Sequence, residues 1–267
     1  YSRARNLHAA ARQVVSRFGG VFPATYGEVR ALPGVGDYTA AAVCSIVYDA
    51  PCAVVDGNVY RVLARLFDIG IPIDTTAGKR AFAELAQSQL DTSRPGLYNQ
   101  AIMDFGALQC TPAQPRCGDC PLAGRCLALA AGTVGVRPVK QGRGKMRDRW
   151  FNYLHVTCGG QTLLHRRGGG DIWQGLYEFP LIETDKAADF AELAATAAFR
   201  ELLGNGRWHL RRSVTMPGHQ LSHQLLHAVF HRIECDAMPA FPSVETAALG
   251  GYALPRLVDR YLTKYQM

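Results

Sequence analysis

Four cysteines that lie close together in the chain are the strongest chemical signal in this sequence. They are Cys110, Cys117, Cys120 and Cys126, with the spacing C-x6-C-x2-C-x5-C. Thiolates this close repel one another unless a cation neutralises them, and four-cysteine sites in proteins bind either an iron-sulfur cluster or zinc. Because C-x6-C departs from the paired C-x2-C spacing of zinc ribbons, the pattern favours an iron-sulfur cluster, with zinc as the alternative.

A second candidate site is the run Leu32-Pro33-Gly34-Val35-Gly36, called here the glycine turn (residues 32–36). Proline and glycine are common turn formers, so the simplest interpretation is an ordinary connection between two helices. The turn could also bind a phosphate, because Gly34 and Gly36 lack a Cβ that would block it and the next helix begins there. Such contacts position DNA without reading its bases. Gly34, Val35 and Gly36 are therefore candidate DNA-binding residues.

An acidic residue, Asp56, lies twenty residues beyond the glycine turn in the run V-V-D-G-N-V-Y-R-V-L. Taken alone, an aspartate at the start of a helical pattern is most simply an N-cap. The same helical half holds a turn suited to phosphate and a four-cysteine site. In that context we favour Asp56 as a catalytic carboxylate.

The first half of the chain is predicted to be nearly all helical from its hydrophobic periodicity. The predicted helices cover residues 6–18, 25–31, 37 onward, 58–68, 76–90, 97–108 and 122–131. Helical spacing begins almost at Tyr1, without an initiator Met or a helix cap. We therefore expect the chain to be a fragment that further helices precede.

The composition changes after Gly132. Residues 132–147 contain glycine, proline and basic residues with almost no large apolar side chain, which is typical of a solvated linker. Beyond it, strands, helices and a Gly159-Gly160 hairpin signal predict an α+β domain over residues 148–267. The predicted strands are 150–158, 161–166, 208–216 and 225–233, and the predicted helices are 187–203 and 254–265.

The overall composition is that of an ordered chain with a basic surface. It is 48% hydrophobic, with a formal charge of +7 and a pI near 9.1. A polyanionic partner suits that charge without being established by it, and no apolar run is long enough to cross a bilayer. Because four of the eight cysteines are clustered at metal-type spacing, we expect the reducing cytoplasm as the location.

Several segments together resemble the helix-hairpin-helix DNA glycosylases related to endonuclease III. They are L-P-G-V-G-x-Y-T-A-x-A-V, V-D-G-N-V-x-R-V-L-A-R, N-Q-A-I-M-D-F-G-A-L-Q-C and the cysteine spacing. The resemblance covers residues 1–131. It implies an all-α glycosylase domain, a 4Fe-4S cluster held by the four cysteines, a double-stranded DNA substrate and a monomeric protein.

Position 38 separates two classes within that superfamily. Members that cut the DNA backbone carry a lysine there, which attacks the sugar as an amine, whereas this chain has Tyr38. A phenol cannot form a Schiff base, so strand cleavage is not expected. Tyr38 and the N-Q-A-I-M-D-F-G-A run are similar to the MutY type, which excises adenine mispaired with 8-oxoguanine.

The resemblance also implies a role for each residue around Asp56. Asp56 would stabilise the positive charge that develops on the deoxyribose as adenine leaves, and Tyr38 would support the intermediate. Asn58 would orient Asp56 or the sugar. The general acid of the family is a glutamate in a segment that would precede residue 1.

The second half is similar to the Nudix-like C-terminal domain of the MutY type, through W-x-G-L-Y-x-F-P at residues 173–180. A Nudix hydrolase needs paired glutamates after its R-E-U motif, and residues 200–202 lack them, so we expect recognition without hydrolysis. Leu221, Ser222 and His223 resemble the F-S-H loop of the family. Ser222 and His223 could bond the N7-H and O8 of an oxidised guanine. Leu221 replaces the phenylalanine.

Three alternative functions remain open from the sequence. An endonuclease III-type lyase would share the turn and the cluster but would need an amine nucleophile. A nucleotide hydrolase in the second half would need the missing metal-binding acids. A non-catalytic iron-sulfur DNA-binding module would lack the general acid. The favoured function is a monofunctional adenine glycosylase acting opposite 8-oxoguanine or guanine.

Overall fold

The structure is a computed structural model that describes residues 1–142, 146–204 and 206–265. It divides into two compact units, Tyr1–Gly142 and Arg143–Met267. Within the described residues, no helix combines the length and the apolar composition needed to span a bilayer.

The first unit is all-α in its described residues. Its helices are α1 (Ser2–Phe18), α2 (Tyr26–Arg30), α3 (Asp37–Tyr48), α4 (Gly57–Leu66), α5 (Thr76–Gln89), α6 (Pro95–Leu108) and α7 (Leu127–Ala130). Two short 3-10 turns, Ala123–Arg125 and Val134–Val136, flank α7. The helix predicted over residues 122–131 is therefore interrupted at Cys126, where the backbone is extended.

Polar side chains fix where most of these helices begin. The Thr25, Asp56 and Thr75 side chains accept backbone N–H groups at the starts of α2, α4 and α5. Pro95 occupies the first position of α6, where a missing N–H costs nothing. Gly19 ends α1 in the left-handed conformation, with φ 62°.

The core of the first unit is formed around α4, which contacts α5, α6 and α7, while α6 also packs on α3. Its buried members are all apolar: Ala41, Val54, Val59, Leu63, Ala64, Phe82 and Ala86. Because Val54 and Val59 flank Asp56, the chain that enters α4 is anchored in the core on both sides of that aspartate.

Residues 133–142, which composition assigns to the linker, are bound to the first unit. Thr133 Oγ1 donates to Asp68 at 2.6 Å, and the Arg137 guanidinium pairs with the same carboxylate at 2.9 Å. The backbone N–H of Gln141 donates to Asp74 at 2.8 Å. The two aspartates lie between α4 and α5 and are the partners in these contacts. The composition of residues 133–142 does not reveal such partners, because they lie elsewhere in the chain. Residues 143–145 lie outside the described residues.

The second unit is built on a mixed sheet. Its strands are β1 (Arg147–Cys158), β2 (Gln161–Leu163), β3 (His165–Arg166), β4 (Tyr177–Glu178), β5 (Leu181–Thr184), β6 (Trp208–Thr215), β7 (His219–Gln220), β8 (Gln224–Cys235) and β9 (Ser243–Glu245). The main order is β6-β8-β1-β2-β9, with β5 pairing with β1 and β7 with β8. β1 and β8 run parallel, and β3 and β4 form a separate two-stranded sheet.

Helices cover both faces of this sheet: α8 (Phe190–Ala194), α9 (Ala197–Leu203) and α10 (Arg256–Tyr265). Alternate residues of β1 point to opposite faces. Phe151 and Tyr153 pack with α10, while Leu154 and Val156 pack with α8 and α9. The result is a sheet buried between two helical layers.

The predicted fold class, an all-α half followed by an α+β half, is confirmed. The single helix predicted over residues 187–203 is wrong in one respect, because α8 ends at Ala194 and Thr196 caps a separate helix, α9. The short strands β4, β5, β7 and β9 were not predicted. Their two to four residues are too few to show a period.

Two buried histidines make the stability of the second unit dependent on pH. Burial lowers the pKa of His155 to about 3, with Arg232 and Arg212 adding to the effect, and burial lowers the pKa of His231 to about 4. Both side chains are 2% exposed. In the folded protein both histidines therefore stay neutral at pH values at which histidines of the unfolded chain are protonated.

The free energy of unfolding is therefore expected to fall as the pH drops from 7 to 5. Below a normal histidine pKa of about 6.5 the unfolded state binds the extra protons, which costs about 2 kcal/mol of stability per histidine at pH 5. Urea unfolding followed by tryptophan fluorescence tests this, because Trp150, Trp173 and Trp208 all lie in the second unit.

The matched control is His209→Gln, at an exposed position on the edge strand β6, which should retain the full pH dependence. His155→Gln and His231→Gln should each flatten it. Equal stability of the wild type at pH 7 and pH 5 would mean that both imidazoles titrate normally in the folded protein.

Candidate functional site

Asp56 caps α4 and is partly buried. Its Oδ1 accepts the backbone N–H groups of Asn58 and Val59, each at 2.8 Å. Its Oδ2 accepts one bond, from the Asn58 side-chain amide at 3.0 Å. The cap therefore fixes the direction of the carboxylate and leaves acceptor capacity on Oδ2. The structural role and a chemical role are compatible at this residue.

A buried arginine holds the Asn58 side chain in turn. Arg61 donates from Nη2 to Asn58 Oδ1 at 2.8 Å and from Nε to the Cys110 carbonyl at 2.6 Å. Gly106 on α6 lets that helix approach Asn58 closely, because a Cβ at position 106 would lie 2.7 Å from Asn58 Cβ. A chain of bonds thus runs from the cysteine segment through Arg61 and Asn58 to the Asp56 carboxylate.

Tyr38 lies at the edge of a cavity of about 590 Å³ beside this carboxylate segment. The cavity is also lined by Gly36 at the end of the glycine turn, by Val55 next to Asp56, and by Tyr60 and Lys79. Tyr38 is 44% exposed, and its hydroxyl contacts Met103 Sδ at 3.6 Å. The structure therefore brings the glycine turn, Tyr38 and the residue before Asp56 to one cavity, of a size typical of small-molecule pockets.

The glycine turn connects α2 to α3. Gly34 has φ +78°, and a Cβ on it would lie 2.6 Å from Asn6 Cβ, so glycine is required there by both conformation and space. At Gly36 no described atom lies within 4 Å of where a Cβ would be, and its φ of −94° suits any residue. Glycine at 36 therefore leaves open the outer approach to the first N–H groups of α3.

The four clustered cysteines line one small cavity with Arg65 and Arg116. Burial and the neighbouring Cys110, Cys120 and Cys126 raise the pKa of Cys117, which shows that the four thiols lie within electrostatic reach of one another. Among the described residues, no three potential ligands are grouped as a single metal ion would hold them.

Arg65 ties this segment to α4. It is 3% exposed and donates to the carbonyls of Thr111, Pro112 and Val134 at 2.7, 2.9 and 3.1 Å, while Nη1 lies 3.5 Å from Cys110 Sγ. The Arg65 guanidinium therefore lies against Cys110 at the wall of the cavity that the four cysteines share. Sequence reasoning missed Arg61 and Arg65, because the carbonyls of Cys110 and Thr111 that they bind lie more than forty residues away in the chain.

In the second unit, residues 221–223 form the turn between β7 and β8, called here the recognition turn. The backbone N–H of Leu221 donates to the Gln224 carbonyl at 2.8 Å, and the Arg147 N–H donates to the His223 carbonyl at 3.1 Å. Ser222 and His223 are exposed, while Leu221 packs against the core. The polar pair is thus presented to solvent and the apolar residue anchors it.

An ion network around the buried Arg149 supports the base of the recognition turn. Arg149, 6% exposed, binds Asp171 and Glu183 each through two hydrogen bonds of 2.6–2.8 Å, and donates to Gln224 Oε1 at 3.1 Å. The two carboxylates raise the pKa of Arg149, and Arg149 lowers that of Asp171. Because Arg149 neutralises both carboxylates through paired hydrogen bonds, the network holds Gln224, the first residue after the turn, in a fixed position.

A cleft of about 460 Å³ lies on the α9 side of the sheet, where Ala198 and Leu202 of that helix line it. The helix carries Arg200, Glu201, Leu202 and Leu203, and Gly204 follows it without offering a carboxylate. Two acids line the described part of the cleft, Asp171 and Glu178, and both are ion-paired with arginines. The described residues after Leu202 therefore do not supply the paired glutamates that a hydrolytic metal site of this type requires.

Comparisons with known families match both units. The family model for a helix-hairpin-helix motif matches residues 17–46, which include the glycine turn. The family model for a NUDIX domain matches residues 152–264, which include the recognition turn.

Curated proteins with similar sequences include several adenine DNA glycosylases. An adenine DNA glycosylase from Mus musculus is 46% identical over 67% of this chain and 34% of that protein. One from Homo sapiens is 46% identical over 86% of this chain and 49% of that protein. A solved thermostable thymine-DNA glycosylase is 33% identical, with a TM-score of 0.45 over 48% of this chain and 59% of that chain. The chain spans about a third and about half of the two curated relatives. The chain is a homologue of the adenine DNA glycosylases that combines a helix-hairpin-helix motif with a NUDIX domain.

Proposed function

We propose that the protein is a monofunctional DNA glycosylase that excises adenine mispaired with 8-oxoguanine, with guanine as a poorer opposite base. The observation that carries the proposal is the fixed carboxylate of Asp56, whose chain neighbour Val55 lines a cavity together with Tyr38 and Gly36 of the glycine turn. The 46% identity to named adenine DNA glycosylases supports the same reaction.

The first step is extrusion of the adenine from the duplex. The base cannot be attacked inside the stack, so flipping it costs a few kcal/mol, which phosphate and opposite-base contacts offset. Gly34 and Gly36 would offer backbone N–H groups at the start of α3 to a phosphate, while the Val35 N–H donates to the Leu32 carbonyl at 3.1 Å and closes the turn. The cavity of about 590 Å³ beside them is the candidate pocket for the flipped nucleotide.

The second step is cleavage of the N-glycosidic bond. Positive charge develops on the deoxyribose as the purine departs, and the Asp56 carboxylate would stabilise it and trap the sugar. Asn58 keeps Oδ2 oriented through its 3.0 Å bond, and Arg61 fixes Asn58. Burial, with Asp37 nearby, raises the pKa of Tyr26, and burial raises that of Tyr60, so both phenols lining the cavity stay neutral.

Cys110, Cys117, Cys120 and Cys126 would hold a 4Fe-4S cluster. Four soft thiols around one cavity, with Arg65 and Arg116 alongside to offset negative charge, fit such a group. Bound there, the cluster would supply structural cross-linking of residues 110–126. Through Arg61 the same segment contacts Asn58, so its order would support the orientation of Asp56.

The second unit would read the base opposite the adenine. Oxidised guanine presents an N7-H donor and an O8 acceptor where guanine presents an N7 acceptor. Ser222 and His223 carry groups that can accept from the first and donate to the second, and both are exposed at the recognition turn.

Single-turnover adenine release tests the proposal. The complete protein is mixed in excess with duplexes that differ only in the base opposite adenine. Release is expected to be fast opposite 8-oxoguanine, slower opposite guanine and absent opposite thymine. The proposal fails if adenine is not released from any duplex, or if thymine supports release as well as 8-oxoguanine does.

Borohydride trapping separates this function from a lyase. A glycosylase that uses Asp56 and Tyr38 forms no imine, so reduction with borohydride during turnover should give no covalent protein–DNA adduct. Lys79 is an amine on the wall of the same cavity and provides the control. An adduct that forms with the wild type and disappears in Lys79→Ala would establish the lyase alternative.

A further inference from the structure

A cationic cleft lies in the second unit between α10 and the chain that leads into the recognition turn. Its volume is about 320 Å³, and residues 216–219 form one wall. The other wall carries Arg256, Arg260 and Lys264. Because these three are spaced four residues apart on a helix, they lie along one side of α10. The cleft therefore presents a row of positive charges in a concave surface.

The charges around this cleft are only partly compensated. Asp259 pairs with Arg256. In the part of the chain that the structure describes, neither Arg260 nor Lys264 has a carboxylate within ion-pair distance, and both are exposed. Lys264 contacts the ring of Tyr265 at 5.3 Å, which leaves its charge unneutralised. Two cations thus face solvent at the same edge of α10.

Neighbouring strands add to the positive potential. Arg212 on β6 donates to the Tyr265 carbonyl at the end of α10, and its register partner on β8 is Arg232. Like charges opposite one another on paired strands are destabilising. Burial and Arg260 both lower the pKa of His219, so this imidazole adds no charge at neutral pH. The local field is therefore set by arginine and lysine and suits a polyanion.

We propose that this cationic cleft binds consecutive phosphates of the DNA strand that carries the base opposite the adenine. The inference deepens the proposed function and rests on it, because it takes DNA as the ligand of the second unit. His219 in the cleft lies three positions before Ser222 in the recognition turn, a span of about 10 Å at most. One DNA strand carries a phosphate about every 3.4 Å along the axis, so phosphates flanking the recognised base fall within that reach.

Phosphate binding and base reading are separable, and this gives the cleft a distinct signature. A phosphate contact strengthens binding to any duplex equally and makes it dependent on salt. Ser222 and His223 would instead change the preference for 8-oxoguanine over guanine. Substitutions in the cleft should therefore weaken DNA binding without altering that preference.

The test is the salt dependence of DNA affinity for the double variant Arg260→Ala, Lys264→Ala. Dissociation constants are measured between 50 and 200 mM salt with duplexes that place 8-oxoguanine or guanine opposite a non-hydrolysable adenine nucleotide. The slope of log K against log salt should become shallower by about 0.9 for each lost phosphate, and so by about 1.8 in all. The ratio of affinities for the two duplexes should not change. Arg260→Lys should keep the wild-type slope.

The control is Lys186→Ala, Arg207→Ala, which removes the same charge from exposed positions of the second unit that do not line the cleft. It should leave the slope nearly unchanged, and equal melting temperatures should show that both double variants are folded. If the slope of log K against log salt changed equally in the two double variants, the loss of net charge alone would explain it. The proposal that the cleft binds phosphates would then be wrong. If the wild-type protein binds no DNA, both the proposed function and the proposed phosphate site are wrong. If the wild-type protein binds DNA and the cleft variant has an unchanged salt slope, only the proposed phosphate site is wrong.

Discussion

Asp56→Asn is expected to slow single-turnover adenine excision by about 10³-fold. A carboxylate about 4 Å from the developing charge, at an effective dielectric near 20, contributes on the order of 4 kcal/mol, which corresponds to that factor. Asparagine caps a helix as well as aspartate does, so the start of α4 should stay intact. The loss should appear in the rate of the chemical step and leave the melting temperature and DNA affinity unchanged.

The matched control is Asp91→Asn, which removes the same charge from an exposed turn where Asp91 accepts from Ser93. Its excision rate should equal that of the wild type. Asp56 has no part in the chemistry if Asp56→Asn excises adenine within about threefold of the wild-type rate at the same occupancy.

Cys117→Ser is expected to abolish cluster binding and to unfold the segment from Cys110 to Cys126. Apart from one 3-10 turn, regular structure is absent from this described segment, which leaves few backbone bonds to hold it when the cluster is lost. Structural metal sites contribute on the order of 10 kcal/mol to folding, more than a typical domain can lose. Iron and sulfide content, visible absorbance and proteolysis of the segment measure the effect.

Cys52→Ser and Cys158→Ser serve as controls, since both thiols lie outside the cavity shared by the four cysteines. Both variants should retain full iron and the brown colour. A colourless wild-type protein with one zinc would show that the site is a zinc site, and a Cys117→Ser protein with unchanged iron would exclude Cys117 as a ligand.

Features set by local chemistry could be predicted from the sequence. The six helices from α1 to α6 follow from apolar spacing with caps or breakers such as Gly19, Thr75 and Pro95. The cysteine segment was recognised because its ligand candidates are adjacent in sequence. The N-cap at Asp56 was visible as well, and in the structure its Oδ1 makes the cap while its Oδ2 accepts one bond, from the Asn58 side chain.

Features that depend on distant partners could not be predicted. Arg61 and Arg65 read as ordinary helix residues until α6 and residues 110–112 are brought against them. Arg149 acquires its role from Asp171, Glu183 and Gln224, which converge on β1 only in the folded sheet. The docking of residues 133–142 likewise depends on Asp68 and Asp74. In each case the composition of the segment carries no information about its tertiary partner.

The placement of the Asp56 carboxylate against the sugar is the central claim, and a crystal structure of the complete protein on DNA tests it most directly. The duplex should carry a cationic sugar mimic in place of the adenosine, opposite 8-oxoguanine. We expect the mimic to occupy the cavity beside Tyr38 with an Asp56 oxygen about 4 Å or less from the cationic centre. A mimic bound with both Asp56 oxygens separated from that centre by water or by another side chain would contradict the account.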